Sequence, residues 1–170
     1  MIRRVAFRKA ILGGVAGAVA WDLVVRALIL AGIPLGDLVY LLGTMLVGTR
    51  AGLLWWPAGL ALHAGVGAIW AIFYAYFFWS TFDWRPALQG LVFSFIPLVL
   101  AEVVMLPQIG WMHPLVLRGE LPSPGLFGIG EGWGGPAGIV LGHLVFGCTM
   151  GLLYTRPVGS PIRRAVRAHA

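Results

Sequence analysis

The sequence predicts an all-α integral membrane protein, a bundle of four transmembrane helices made of two pseudo-twofold-related halves. Three observations predict it. The 170 residues are 59% hydrophobic and only 11% charged, with a mean hydropathy of +0.89, whereas about a quarter of the residues in a soluble domain are charged. Four stretches are long and apolar enough to cross a bilayer as helices. A shift of 80 residues also superposes several polar residues in apolar surroundings.

The four predicted spans are 10–31, 57–79, 87–106 and 135–154. The first span contains Asp22 and Arg26 and is the least purely apolar of the four. The connection 32–56 includes "GDLVYLLGTMLVG", which predicts a short helix at the membrane interface. The connection 107–134 includes "GELPSPGLFGIGEGWGG", whose glycines and prolines predict an irregular cap. Neither connection is long enough for a soluble domain, so residues 1–170 form one membrane domain with halves 10–79 and 87–154.

Basic residues predict the orientation of the chain. Four of them precede the first span in the tail 1–9, and four follow the last span in the tail 156–170. The two long connections carry only Arg50 and Arg118. By the positive-inside rule both termini are cytoplasmic and both long connections lie outside. The predicted location is the cytoplasmic (inner) membrane. The net charge of +6 is therefore mostly a topology signal, and no motif for binding nucleic acid accompanies it.

The N-terminal stretch leaves a second interpretation open. "MIRRVAFRK" followed by "AILGGVAGAVA" is similar to a secretory signal, and Ala18-Val19-Ala20 resembles a cleavage site. The apolar stretch continues to Ala31, long enough to span a bilayer. This length favours a retained span.

The shift of 80 residues predicts a duplication. Unusual residues coincide without a gap, which gives parallel repeats related by an axis along the membrane normal. The coincidences are His63 with His143, Gly67 with Gly147, Ala71 with Gly151, Tyr74 with Tyr154, and Asp22 with Glu102.

Spans two and four each present the same helix face. Residues at i, i+4, i+8 and i+11 lie on one side of a helix, so each face has a histidine, then two small residues, then a phenol. Small residues four positions apart let helix backbones approach closely in lipid. The predicted packing trough is Gly67, Ala71, Gly147 and Gly151, and the predicted inner phenols are Tyr74 and Tyr154.

The polar residues of the spans are predicted to form one interior cluster of Asp22, Arg26, His63, Glu102 and His143, because a carboxylate facing hydrocarbon costs several kcal/mol. Asp22 and His63 are expected within one helical turn of each other. Arg26 lies four residues after Asp22, which predicts an ion pair within the helix. Glu102 has no such neighbour, so it is expected to be protonated or bonded to His143.

Several functional interpretations of this cluster remain open. It can be a purely structural helix contact. His63 and His143 could hold a b-type haem as axial ligands, or two histidines and two carboxylates could bind metal ions, although the Glu-x-x-His pair of di-iron bundles is absent. Acids and histidines could also relay protons or pass a small solute.

No catalytic motif is visible, and the single Cys148 excludes a disulfide framework. We therefore predict a non-enzymatic accessory or scaffold subunit that needs neither metal nor cofactor. Its expected partners are the lipid bilayer, other membrane subunits or a second copy of the chain.

The segments "HAGVGAIWAIFY" and "HLVFGCTMGLLY" share the pattern H-x3-G-x3-small-x2-Y. This pattern resembles a loose group of small, uncharacterised four-span membrane proteins of prokaryotes. The resemblance covers mainly spans two and four. It implies a membrane location and a four-helix architecture, and it implies nothing about a substrate.

Overall fold

The computed structural model describes residues 5–82 and 84–154, and all regular structure in these ranges is helical. Two 3₁₀ segments, Thr49–Leu54 and Leu126–Glu131, and two π-helical segments, Tyr74–Trp79 and Ala101–Met105, join or extend the α-helices. The α-helices are α1 (Phe7–Leu30), α2 (Leu38–Val47), α3 (Trp55–Phe73), α4 (Pro86–Leu100), α5 (Leu106–Met112), α6 (Pro114–Leu117) and α7 (Gly134–Leu153).

Four helical stretches are long and apolar enough to span a membrane: Phe7–Leu30, Thr49–Trp79, Pro86–Met112 and Gly134–Leu153. The four predicted spans are thus confirmed as helices, and they indicate an integral membrane protein. The third stretch runs past its predicted end at residue 106, because α4 continues through the π segment into α5. The predicted basic tails lie largely outside the described residues, which leave out 1–4 and 155–170.

The first helix ends where a glycine reverses the chain. Gly32 has a φ of +87°, a conformation that favours glycine, and its N–H donates to the carbonyl of Ile29. The Ile33 N–H donates to the carbonyl of Leu28, a pairing typical of helix C-termini. The chain then turns back, and α2 begins after Asp37, whose side chain accepts the N–H of Tyr40.

Helix α2, which the sequence predicted as a short helix at the membrane interface, is largely buried against the rest of the protein. Six of its ten residues are buried. Its backbone lies very close to that of α3. A Cβ added to Gly43 would lie 1.9 Å from the Trp55 carbonyl oxygen, and one added to Gly59 would lie 2.1 Å from the Val39 carbonyl oxygen. The prediction of a short helix is confirmed, and its location at the membrane interface stays a prediction. A glycine on each helix lets α2 pack closely beside α3. The pattern of apolar and polar residues along α2 does not reveal this contact.

The long helices pack in a definite order. Helix α3 packs on α1, α1 on α7, α7 on α4, and α2 lies on the outside of α3. Gly14 of α1 faces Gly67 of α3, where an added Cβ would lie 2.3 Å from the Gly67 carbonyl oxygen. Gly90 of α4 faces Gly147 of α7, where an added Cβ would lie 2.0 Å from the Gly147 carbonyl oxygen. The predicted troughs therefore hold α1 and α4 at close range.

Helices α3 and α4 do not belong to the helix pairs that pack extensively in the described ranges. They meet through aromatic rings, with Phe93 of α4 at 6.2 Å from Trp70 and 5.3 Å from Tyr74. These contacts lie toward the tail end of the molecule, defined as the end that holds residues 5–6 and 154. Toward the cap end, which holds residues 31–54 and 113–133, the two helices leave a cleft between them.

The π segment Ala101–Met105 changes which face of the third span is buried. The Leu106 N–H donates to the Ala101 carbonyl, five residues back, and Pro107 has no N–H for an ordinary bond to residue 103. The buried face passes from Ala101 to Leu106 across this wide turn. Glu102 is left beside that face and is partly exposed.

His113 joins the second connection to α2 and is completely buried. Its Nε2–H donates to the Leu41 carbonyl (2.9 Å) and lies 3.2 Å from the Thr44 hydroxyl. Its Nδ1 accepts the N–H of Leu115 (3.2 Å) and caps α6.

We expect His113→Ala to lower the free energy of unfolding by about 2–3 kcal/mol, because it removes these bonds and leaves buried polar groups unpaired. Unfolding in mixed detergent micelles measures this. His113→Asn is the matched control: its side-chain oxygen can still cap α6 but is too short to reach α2, so its loss should be about half as large. Equal stability of wild type and His113→Ala would contradict a stabilising role for the hydrogen bonds of His113.

Candidate functional site

A cleft of about 450 Å³ opens between α3 and the α4–α5 stretch. Its walls are almost entirely apolar, and it is open on one side. Helix α2 contributes Leu38, Leu42 and Met45 to its cap-end rim. The other lining residues are Trp21, Leu62, His63, Val66, Gly67, Trp70, Pro97, Leu100, Ala101, Val104, Met105, Gln108, Ile109, His143 and Phe146.

His63 is paired directly with Asp22. Its Nδ1 lies 2.8 Å from Oδ1 of Asp22, and both side chains are buried, with 6% and 7% exposure. The contact joins α3 to α1 one helical turn beyond the close approach of Gly67 to Gly14. The approach of Asp22 to His63 agrees with the prediction that the two residues lie within one helical turn of each other.

His143 has a different partner from the one expected. Its Nδ1 donates to the carbonyl of Ile139, one turn earlier on α7, at 2.9 Å. The expected bond to Glu102 is not formed, because the π segment leaves that carboxylate beside the buried face. The Nδ1–H of His143 is therefore held by its own helix and not by a carboxylate.

Both histidines line the cleft, and each has one ring nitrogen without a hydrogen-bond partner among the described residues. The Nδ1 atoms are engaged by Asp22 and Ile139, and neither Nε2 has a hydrogen-bond partner within residues 5–82 and 84–154. Both imidazoles line the cleft. The two Nε2 atoms are thus the polar atoms that His63 and His143 offer to whatever enters it.

Trp21 packs against both histidines, and neither the polar residues nor the helix faces of the sequence pointed to it. Its ring lies 4.5 Å from the His63 ring and 4.6 Å from the His143 ring, centroid to centroid. It packs flat on α7 because residue 142 is glycine: a Cβ there would lie 1.9 Å from the indole. The signal in the sequence is a tryptophan beside the buried acid and a glycine beside the second histidine.

Arg26 pairs with Asp37 and not with Asp22. Its guanidinium lies 2.5 Å from Oδ2 of Asp37 and 5.6 Å from the centre of the Trp55 ring. The expected ion pair within α1 is therefore replaced by one to the start of α2, whose buried position brings Asp37 within reach. This pair ties α1, α2 and α3 together at the cap end.

A second, smaller cavity lies behind the Asp22–His63 pair. It measures about 90 Å³, and its polar lining residues are Asp22, Arg26 and Asp37. Oδ2 of Asp22 is buried without a hydrogen-bond partner among the described residues. A cavity of this size has room for water beside these three side chains, so Asp22 contacts His63 on one side and borders this cavity on the other.

The predicted phenols lie together at the tail end. The rings of Tyr74 and Tyr154 are 5.8 Å apart. The Tyr154 hydroxyl accepts the N–H of Ala6 at 3.0 Å, while the buried Tyr74 hydroxyl has no partner in the described part of the chain. The tyrosines close the base of the helix assembly well away from the histidines.

The geometry bears on the cofactor alternatives. Haem ligation by two histidines needs a flat space between the imidazoles, and here Trp21 makes ring contact with both of them. Direct contact of Asp22 with His63 is the arrangement that favours pairing or proton handling. Among residues 5–82 and 84–154, no group of three or more His, Cys, Asp or Glu side chains is placed to hold a metal ion.

Comparison with known proteins adds no relative: no family model matches the chain, and no curated protein or solved structure does.

Proposed function

We propose that this chain is a small polytopic membrane protein that acts as a non-enzymatic accessory subunit, holding a lipid-soluble molecule in the cleft between α3 and α4. The observation that carries the proposal is the pair of unpartnered imidazole nitrogens in an apolar cleft that opens between two of the apolar spanning stretches. A molecule dissolved in the bilayer can enter such a cleft without crossing water. An apolar pocket with a few convergent polar groups is the usual form of a small-molecule site.

The proposed repeat explains why the cleft lies where it does. Shifting the chain by 80 residues maps the contact between α1 and α7 onto the space between α4 and α3. The first of these is closed by Trp21 on Gly142 and by Phe146 against Gly17. The counterparts of these four residues all line the cleft: Ala101 for Trp21, Leu62 for Gly142, Val66 for Phe146 and Pro97 for Gly17.

The second half has Ala101 where the first half has Trp21. The α1–α7 interface is therefore filled, and the related interface between α4 and α3 stays open. Gly14 against Gly67 and Ser94 against Gly147 are also counterparts under the same shift, and both are close contacts. This agreement supports a four-helix arrangement with a broken pseudo-twofold axis. The cleft is the place where the symmetry is broken.

The experiment closes the cleft by restoring the missing contact. In the double variant Leu62→Gly/Ala101→Trp, the new indole can pack as Trp21 packs on Gly142. Protein purified in mild detergent is extracted with organic solvent, and the extract is analysed by mass spectrometry. We expect a lipid-soluble compound in near-stoichiometric amount with wild type, and at least a tenfold reduction in the double variant.

The matched control is Phe95→Trp, which adds an indole on the exposed side of α4 and should leave the extract unchanged. Equal amounts in the double variant and in wild type would overturn the proposal. A visible spectrum of the same wild-type sample tests the haem alternative. A haem band lost in His63→Ala and His143→Ala would replace our proposal with that one.

A proton pathway is the second candidate, and the cavity behind Asp22 favours it. A route from the cap end could pass Arg26 and Asp37, reach Asp22 through water, and continue to His63. Proton flux into liposomes under an imposed potential measures this. Flux that is abolished in Asp22→Asn would establish the pathway, and flux no greater than that of empty liposomes would exclude it.

We also propose that both termini are cytoplasmic and that both long connections lie on the other side of the membrane. The distribution of arginine and lysine supports this. Reporter fusions at Arg50 and Arg118 should report an external location, and a fusion at Asp83 an internal one. A cytoplasmic signal at Arg118 would contradict the arrangement.

A further inference from the structure

The Asp22–His63 pair determines which hydrogen-bonding group His63 offers to the cleft. Both side chains are buried, and the other charged groups that line the cavity behind them, Arg26 and Asp37, neutralise each other. A net charge on the Asp22–His63 pair is therefore strongly disfavoured. The pair is electrically neutral when it holds two protons in total. One lies between Oδ1 and Nδ1, and whichever of the two atoms carries it, the other proton is on Nε2. His63 therefore presents an N–H donor to the cleft.

His143 offers the opposite group. Its Nδ1 must carry the proton, because the partner is a backbone carbonyl, which only accepts. No carboxylate contacts His143 in the described residues, so a second ring proton would leave an unpaired charge in the membrane interior. The neutral ring has a lone pair on Nε2. His143 therefore presents an acceptor.

From this donor and acceptor, and resting on the proposed function, we infer the chemical class of the ligand: a lipid-soluble molecule with a hydroxyl group on an apolar body, such as a long-chain alcohol or an alkylated phenol. A hydroxyl oxygen can accept from His63 and its hydrogen can be donated to His143. An ether or ester can accept but cannot donate, so it leaves the lone pair of His143 unpaired.

The rest of the cleft supports the same class. Apart from the indole N–H groups of Trp21 and Trp70, Gln108 is the only other polar side chain among the lining residues, and it stands at the cap-end rim next to Ile109. The lining contains no arginine or lysine, so a phosphate or carboxylate head group would have no cationic partner. The apolar body would lie against Val66, Leu100 and Val104.

The test compares two probes that differ only in the hydroxyl hydrogen. 4-Nonylphenol and 4-nonylanisole share the same alkyl chain and ring, and the second carries a methyl group on oxygen. The full chain, labelled with ¹⁵N-histidine, is reconstituted in phosphatidylcholine nanodiscs and titrated with each probe. Spectra of His63→Gln and His143→Gln assign the ring nitrogens. We expect nonylphenol to shift the Nε2 signals of both histidines and to bind about tenfold more tightly than the anisole.

The outcomes separate this inference from the proposed function. If both probes bind equally and both are excluded by Leu62→Gly/Ala101→Trp, the cleft binds lipid-soluble molecules and the hydroxyl inference is wrong. If neither probe moves a signal from the cleft histidines, the inference and the proposed function both fail. A shift of the His113 signal alone would show binding elsewhere and would also count against the inference.

Discussion

Asp22→Ala is expected to lower the free energy of unfolding by about 3 kcal/mol, because removal of one member of a buried pair leaves the other without its partner. His63 would keep an unpaired Nδ1 in an apolar interior. The α1–α3 contact would lose its polar pair, and the His63 ring that packs against Trp21 would no longer be held in its orientation. Reversible unfolding in mixed detergent micelles gives the value.

Glu102→Ala is the matched control for this prediction. Glu102 is the counterpart of Asp22 in the sequence, but it is partly exposed and has no contact with His143. We expect its replacement to change the free energy of unfolding by less than about 0.5 kcal/mol. A loss at Glu102 as large as that at Asp22 would mean that the second half contains an equivalent buried pair, contrary to the structure.

Gly67→Leu is expected to have the second large effect. A Cβ at this position would lie 2.8 Å from the Gly14 carbonyl oxygen and 2.9 Å from the Cβ of Ala18. The obstacle is the backbone of α1, so the helices must separate. Overpacking of this kind costs about 3 kcal/mol or more when backbone has to move, and separation would also lengthen the 2.8 Å contact between His63 and Asp22.

Gly65→Leu on the same helix is the control, since nothing lies within 4 Å of a Cβ placed there. In an exposed helical position, leucine is a better helix former than glycine by somewhat under 1 kcal/mol. The control should therefore be as stable as wild type or slightly more so. If the two variants behaved alike in a thermal-stability assay, the glycine contact between α1 and α3 would be refuted.

Local composition was sufficient for part of this structure. Four apolar stretches predicted four helices, and helical spacing placed Gly67 and Gly147 on faces that the structure packs tightly. The approach of Asp22 to His63 followed from the depth of each residue in its span. These inferences depend only on the hydropathy of each stretch and on the regular spacing of residues along a helix.

The remaining features depend on contacts between distant segments. Arg26 pairs with Asp37 because α2 turns back into the protein, which requires glycines on two helices at matching positions. Glu102 misses the interior because one wide turn interrupts a helix near Pro107. The cleft results from alanine at position 101 where the other half has Trp21. The effect of this difference is visible only when the α1–α7 interface is compared with the α4–α3 interface.

The pairing of α1 with later segments has a consequence for how the chain is made. When α1 leaves the ribosome, Asp22 and Arg26 have no partners, and on insertion scales each costs roughly 2.5–3.5 kcal/mol near the centre of a span. Asp37 follows 11 residues after Arg26 and His63 follows 41 residues after Asp22. We therefore expect the first helix to remain at the translocon until α3 has been synthesised, which crosslinking of chains stalled before and after His63 would detect. Release of α1 before His63 emerges would count against this order. The hairpin of α1 and α3, with α2 packed on the outside of α3, is then the unit that enters the lipid.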